Sequence, residues 1–232
     1  MKTIGLIGGM SWESTLTYYQ IINETVKEQL GGFHSAKCLL YSVDFEEIER
    51  YQANGQWEKG GELLADKAAG LENAGADFII ICTNTMHKVV TQIQSKISIP
   101  VVHIADTTAD ELNKSGISRV ALLGTKYTMT EEFYKSRIAN RGIDVLIPSE
   151  KDIEIVNSVI YNELCLGIIS EKSKAEYIRI VDELTGRGAQ GVILGCTEIG
   201  LLLQQSDTNT LLFDTTRIHA TKAAMLSLEK TR

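Results

Sequence analysis

The sequence predicts an α/β protein made of two similar lobes, each a parallel sheet with helices on both faces. Three observations carry that expectation. Short runs that are apolar on every residue alternate with segments whose apolar residues recur at helical spacing. Strands apolar on both faces belong to parallel sheets covered from both sides. The pattern of the first half of the chain also returns in the second half.

The predicted strands, in order, are Ile4–Ile7, Cys38–Val43, Phe78–Ile81, Val101–Ile104, Val120–Leu123, Val145–Ile147, Val192–Leu194 and Leu211–Phe213. Between them, Leu63, Leu64, Ala68 and Leu71 mark one helix, and Met86, Val89, Val90, Ile93 and Ile97 another. The only prolines, Pro100 and Pro148, each stand beside a strand, and no stretch rich in Pro, Gly or Ser separates the lobes. Any boundary is therefore a short crossover. The expected division is residues 1–100 with 210–232 in an N-terminal lobe, and 101–209 in a C-terminal lobe.

The repeat has three parts in the same order. Ile4–Gly9 (IGLIGG) resembles Val120–Thr125 (VALLGT), Gly75–Thr85 (GADFIIICTNT) resembles Gly188–Glu198 (GAQGVILGCTE), and Ala105–Thr108 (ADTT) resembles Phe213–Thr216 (FDTT). Each pair is displaced by about 110 residues, the size of a lobe. Each lobe thus reads as Rossmann-like, with the two related by a pseudo-twofold axis. Ligands of open parallel sheets bind beyond the carboxyl ends of the strands. Thr83–Thr85 and Cys196–Glu198 both lie at such ends, which places the expected site in a cleft between the lobes.

Composition narrows the function. The chain has 232 residues, 44% hydrophobic and 23% charged, with a formal net charge of −7. Without a basic stripe it is not expected to bind nucleic acid. No apolar run is long enough to span a bilayer, and the N-terminus is too short in apolar residues for a signal peptide. A cytoplasmic protein is expected. The four cysteines, Cys38, Cys82, Cys165 and Cys196, lack the paired spacing of a zinc site, and the histidines share no ligand spacing, so no metal is expected. Gly5, Gly8 and Gly9 do not match dinucleotide-binding spacing.

Cys196 is the strongest chemical candidate. It follows a strand and precedes a polar helix start at Thr197 and Glu198, where free N–H groups favour a thiolate over the free thiol of pKa about 8.5. The competing reading is a buried structural cysteine. In the other lobe the ungapped repeat sets Thr83 opposite Cys196 and Cys82 opposite Gly195. A gapped alignment would match Cys82 to Cys196 instead. Strand alternation sends Cys82 and Thr83 in different directions, and the ungapped register favours Thr83 for the site.

These motifs, with Gly8-Gly9-Met10 and Leu123-Gly124-Thr125, resemble those of the PLP-independent aspartate/glutamate racemase superfamily over nearly the whole chain. That family places two cysteines on opposite sides of its substrate. Here Thr83 stands directly before Asn84, a departure resembling the L-aspartate/glutamate-specific subgroup with a Thr/Cys pair. The resemblance implies an isomerase that needs no cofactor, acts on a small acidic amino acid, forms a homodimer, and uses Cys196 and Thr83 as catalytic groups.

Inverting a stereocentre requires a proton to leave one face and another to arrive on the opposite face. A threonine hydroxyl is too weak an acid to rest as a base, so the pair is expected to be lopsided, with Cys196 taking the α-proton of the L-enantiomer. The substrate-binding candidates are Met10 with the backbone N–H groups after Gly8-Gly9-Met10 at an expected helix start, Gln52 for the side-chain carboxylate, Asn84, and the hydroxyls of Thr85, Thr125 and Thr197. Glu198 is a candidate for tuning Cys196. Each threonine also reads as a plain helix cap, and Glu198 as an exposed first-turn residue favouring the helix dipole. No basic residue is evident in Asn162–Gly167 to receive an acidic side chain. His87 reads equally as a site neighbour and as a surface or capping residue. Two other functions fit the same residues: a cysteine-dependent decarboxylase or cis–trans isomerase of small diacids, and a non-catalytic binder of a small acid.

Overall fold

The computed structural model of the chain describes residues 1–229. The chain divides into two compact units. One comprises Met1–Ile104 and the segment from His219 onward, and the other Ala105–Ile218.

The elements run β1 (Ile4–Gly8), α1 (Trp12–Leu30), β2 (Cys38–Ser42), α2 (Phe45–Ala53), α3 (Trp57–Asn73), β3 (Phe78–Ile81), a 3₁₀ turn at Thr85–Val89, α4 (Val90–Ser95) and α5 (Ile104–Lys114). They continue with β4 (Arg119–Gly124), α6 (Lys126–Thr130), α7 (Glu132–Ala139), β5 (Asp144–Leu146), α8 (Glu150–Asn162), a 3₁₀ turn at Leu164–Leu166 and α9 (Glu171–Gly186). The remainder is β6 (Gly191–Gly195), α10 (Ile199–Leu202), a 3₁₀ turn at Gln205–Asp207, β7 (Leu211–Asp214) and α11 (Thr215–Leu228). Among the described residues no helix is long and apolar enough to cross a membrane.

In the first unit three parallel strands lie in the order β2-β1-β3. Strand alternation sorts their side chains into two cores. Ile7, Ile79 and Ile81 point to one face, where they meet Ile48 of α2, Leu64, Ala68 and Leu71 of α3, and Ile93 of α4. Ile4, Leu6, Phe78 and Ile80 point to the other, against Tyr18, Ile22 and Val26 of α1 and Ala220, Ala223 and Ala224 of α11. Burial on both faces explains why β1 and β3 carry no polar alternation, whereas β2 at the sheet edge is half-buried to exposed.

In the second unit the order is β5-β4-β6-β7, again all parallel. Val120, Leu122, Val192 and Ile193 are fully buried, as are Val156 of α8 and Val181 and Leu184 of α9. The buried Tyr177 hydroxyl donates to the Val156 carbonyl at 3.0 Å, tying α9 to α8 without leaving a polar atom stranded.

Two sequence expectations shift. Val101 makes only an isolated bridge to Ile79, and Ile104 already begins a helix. Pro100 lacks the N–H a ladder needs, which shortens this segment to a vestige of the strand that β7 forms in the second unit. The boundary expected at residue 210 lies instead after Ile218, because β7 pairs with β6 and belongs to the second sheet.

Candidate active site

Each unit gathers its candidate residues just past the carboxyl ends of two adjacent strands. In the first unit these are the loops after β1 and β3. Gly9 has φ +90°, and a Cβ there would lie 2.6 Å from the Val43 nitrogen, so only glycine fits. The Gly9 amide donates to Thr15 Oγ1 at 2.8 Å, and that hydroxyl donates to the Ser11 carbonyl at 2.9 Å. Ser11 then caps α1 by accepting from the Ser14 amide. The Gly9 N–H is therefore committed inside the loop. Met10 is buried in the same apolar cluster as Met86, to whose sulfur Gln52 donates at 3.1 Å. Gln52 is itself 5% exposed, so its amide is held in place rather than waving from the surface of α2.

At the end of β3, Cys82 and Thr83 have different surroundings. The Cys82 amide continues the ladder to the Ile7 carbonyl at 2.9 Å. Its side chain falls on the same face as Phe78 and Ile80, fully buried among α1 and α11 residues. Burial, and to a lesser degree neighbouring Cys38, pushes the Cys82 thiol far above its ordinary pKa, and burial alone raises Cys38 to about 11. Both are packing residues. Thr83, one residue beyond the ladder, is half-buried, while Asn84 and Thr85 are buried.

The second unit repeats this register. Gly124 at the end of β4 lies opposite Gly195 at the end of β6. A Cβ on Gly195 would meet the Leu123 carbonyl at 2.8 Å, so the strand ends approach too closely for any other residue. Cys82 stands one step past the Ile7–Ile81 pair as Gly195 stands one step past the Leu123–Leu194 pair, which matches the ungapped repeat. Thr83 thus corresponds to Cys196.

Cys196, Thr197 and Glu198 form one hydrogen-bonded group. Cys196 Sγ lies 2.9 Å from Glu198 Oε2, to which Thr197 Oγ1 also donates at 2.7 Å. Glu198 is 3% exposed, so it is no solvent-facing helix residue. The expected thiolate is not the resting form. Burial raises the Cys196 pKa well above the ordinary value, followed by the Glu198 charge and then by Cys165. The helix start that was to favour the anion is a single turn of four residues, too short to supply much of a dipole. Thr125 behaves as a cap: its hydroxyl accepts from the Thr128 amide at 3.3 Å and lies 3.1 Å from the Thr128 hydroxyl.

Of the residues set aside from sequence, His87 is only 1% exposed and bonds the Thr83 carbonyl. A histidine four residues after a strand-end threonine was the available signal, since that spacing lets a ring reach back to the carbonyl. Trp12, the first residue of α1, is 64% exposed.

Comparison with known proteins identifies the family and the fold. The family model described as Asp/Glu/Hydantoin racemase matches residues 7–223. The broad specificity amino-acid racemase RacX of Bacillus subtilis (strain 168) is 22% identical, over 91% of this chain and 92% of its own length. A Yersinia pestis structure provisionally described as an Asp/Glu racemase is 53% identical with a TM-score of 0.92, covering 99% of this chain and 100% of that one. An aspartate racemase homologue from Pyrococcus horikoshii OT3 is 37% identical with a TM-score of 0.85, again covering 99% of this chain and 100% of that one.

Proposed function

The chain belongs to the Asp/Glu/hydantoin racemase family, and we propose that it racemises aspartate or glutamate without a cofactor, with Cys196 and Thr83 serving opposite faces of the α-carbon. The observation that carries this reading is the thiol–carboxylate pair of Cys196 and Glu198 beside a strand end. A buried thiol of raised pKa cannot rest as a base, but a carboxylate already on its proton can receive it once substrate excludes water.

The steps then balance. The Sγ proton moves to Glu198 Oε2, and the thiolate removes the α-proton of the L-enantiomer. The electron pair left on carbon spreads into the substrate carboxylate, which the Asn84, Thr85 and Thr197 side chains are suited to hold. On the other face the Thr83 hydroxyl gives a proton to carbon while taking one from a water, so no alkoxide accumulates. For release, Glu198 keeps the proton that it took and Cys196 holds the former α-proton. The group resets by loss of one proton to solvent, which balances the one drawn from water. This asymmetry supports a preference for the L-enantiomer. A homodimer in the cytoplasm, acting on a free small amino acid, completes the reading.

A second reading concerns substrate breadth. Asn162–Gly167 offers a buried Leu164 and a half-buried Cys165 rather than a basic side chain. The Bacillus relative is named for broad specificity. Neutral amino acids are therefore the alternative substrates, with Gln52 as an uncharged contact. Chiral analysis after incubating the protein with each enantiomer of aspartate, glutamate and a panel of neutral amino acids tests both. Racemisation confined to the acidic pair supports the first reading, turnover of neutral amino acids supports the second, and carbon dioxide release or no turnover overturns both.

A further inference from the structure

His87 is held at both ring nitrogens by backbone groups of fixed polarity. Its Nδ1 lies 2.8 Å from the Thr83 carbonyl oxygen, and the Ile104 amide points at its Nε2 from 3.2 Å. An amide N–H only donates and a carbonyl only accepts. Nε2 therefore carries a lone pair and Nδ1 carries the hydrogen, which makes the ring the neutral Nδ1–H tautomer. The opposite tautomer would set two lone pairs together at Thr83 and two hydrogens together at Ile104.

Two further histidines pack beside this ring. The His103 ring centre lies 4.5 Å away and that of His219 5.8 Å away. His219 donates from Nε2 to the Val102 carbonyl at 2.9 Å and accepts from the Tyr18 hydroxyl at Nδ1, also at 2.9 Å. Like His87, His103 and His219 are almost wholly buried.

The place of this bond matters. The sheet's hold on the chain ends at Cys82, whose amide makes the final ladder bond to Ile7. Thr83 is the first residue beyond it, and its carbonyl is taken by the imidazole four residues later. The His87 amide also closes onto the Asn84 carbonyl at 3.1 Å, so ring and main chain form one closed loop around Thr83 and Asn84. We propose that His87 is a positioning residue for Thr83: a tautomer-locked imidazole, braced on the Ile104 amide, that fixes the Thr83 peptide and so the aim of its hydroxyl. The proposal rests on the reading that Thr83 handles the proton on one face of the substrate. It assigns His87 no proton of the reaction.

The test separates the two faces. In heavy water, Cys196 alone is enough to exchange the α-proton of the L-enantiomer and return it unchanged in hand, whereas inversion also needs Thr83. A misplacement of about 1 Å at a reacting group costs on the order of 10²-fold in rate. His87→Ala and His87→Gln are therefore expected to lose inversion by about that factor while L-face exchange stays within a few-fold of wild type. His87→Asn, whose amide nitrogen overlays Nδ1 and donates to the Thr83 carbonyl, should recover most of the inversion. Equal loss of exchange and inversion in all three variants, or no rescue by Asn, overturns the proposal while leaving the racemase reading intact. A wild-type protein that exchanges no amino acid overturns both. Nitrogen-15 spectra of the imidazoles give a readout apart from activity: a protonated Nδ1 and bare Nε2 at His87 at neutral pH is expected, and an Nε2–H ring or an imidazolium there overturns the proposal.

Discussion

Cys196 and Glu198 stand 2.9 Å apart, sulfur to oxygen, with the carboxylate almost sealed from solvent. The pair has two opposed effects. Its charge holds the thiol protonated, and its basicity offers that proton a destination. A single substitution at Glu198 separates them.

Glu198→Gln removes the charge, so the Cys196 pKa should fall toward that of an ordinary thiol, with burial still holding it up. Alkylation of Cys196 by iodoacetamide, followed by peptide mass spectrometry, should reach half-maximal rate at a lower pH than in wild type. Racemisation should nonetheless drop by about 10²–10⁴-fold, the usual contribution of a general base. A variant that alkylates faster and also racemises faster would mean that the carboxylate only hinders the thiol.

Cys196→Ala should abolish α-proton exchange on the L-enantiomer as well as inversion. Thr83→Ala should spare exchange on that enantiomer and lose inversion. Proton NMR in heavy water beside chiral chromatography reads both quantities. Equal exchange from L and D substrates in the wild type would contradict the lopsided assignment.

Stability should depend on pH through His219. Burial lowers its pKa from 6.5 to about 4. Below pH 6.5 the unfolded chain binds a proton at this residue that the folded chain refuses, so stability falls as pH drops through 6.5 toward 4. At 1.36 kcal/mol per pKa unit the full loss is on the order of 3 kcal/mol. Urea denaturation at pH 7 and 4.5 should show most of it. His219→Gln, which keeps a donor for the Val102 carbonyl but does not titrate, should flatten the dependence. An unchanged slope in that variant would assign the proton to another group.

Gly9→Ala should destabilise the fold by about 1–3 kcal/mol, the cost of holding an L-residue in an unfavourable backbone region. Its Cβ would also press on the Val43 backbone. Thermal unfolding measures the loss. A substitution that leaves the melting temperature unchanged would show that the loop after β1 has another conformation within reach.

The central strands were legible because burial on both faces leaves an unbroken apolar run, as in Phe78–Ile81 and Gly191–Gly195. The repeat register was legible for the same reason, and it set Thr83 rather than Cys82 beyond the ladder. What the sequence hid is the electrostatics. Nothing in the order Cys196-Thr197-Glu198 announces that the carboxylate folds back onto the thiol instead of facing water, or that α10 stops after one turn. The role of His87 stayed open in the sequence because its bonds to the Thr83 carbonyl and the Ile104 amide are to main-chain atoms, which no residue pattern announces. The lobe boundary slipped because membership of β7 depends on its pairing with β6, a long-range contact with no local mark.

The core on one face of the first sheet is completed by Ala220, Ala223 and Ala224, which follow the entire second unit in the chain. During synthesis the ribosome therefore releases Ile4, Leu6 and Phe78 long before the alanines that cover them. Until then only α1 covers this side of the sheet, and the strip that α11 will fill stays open. The second unit, continuous in sequence, has no such wait and is free to mature first.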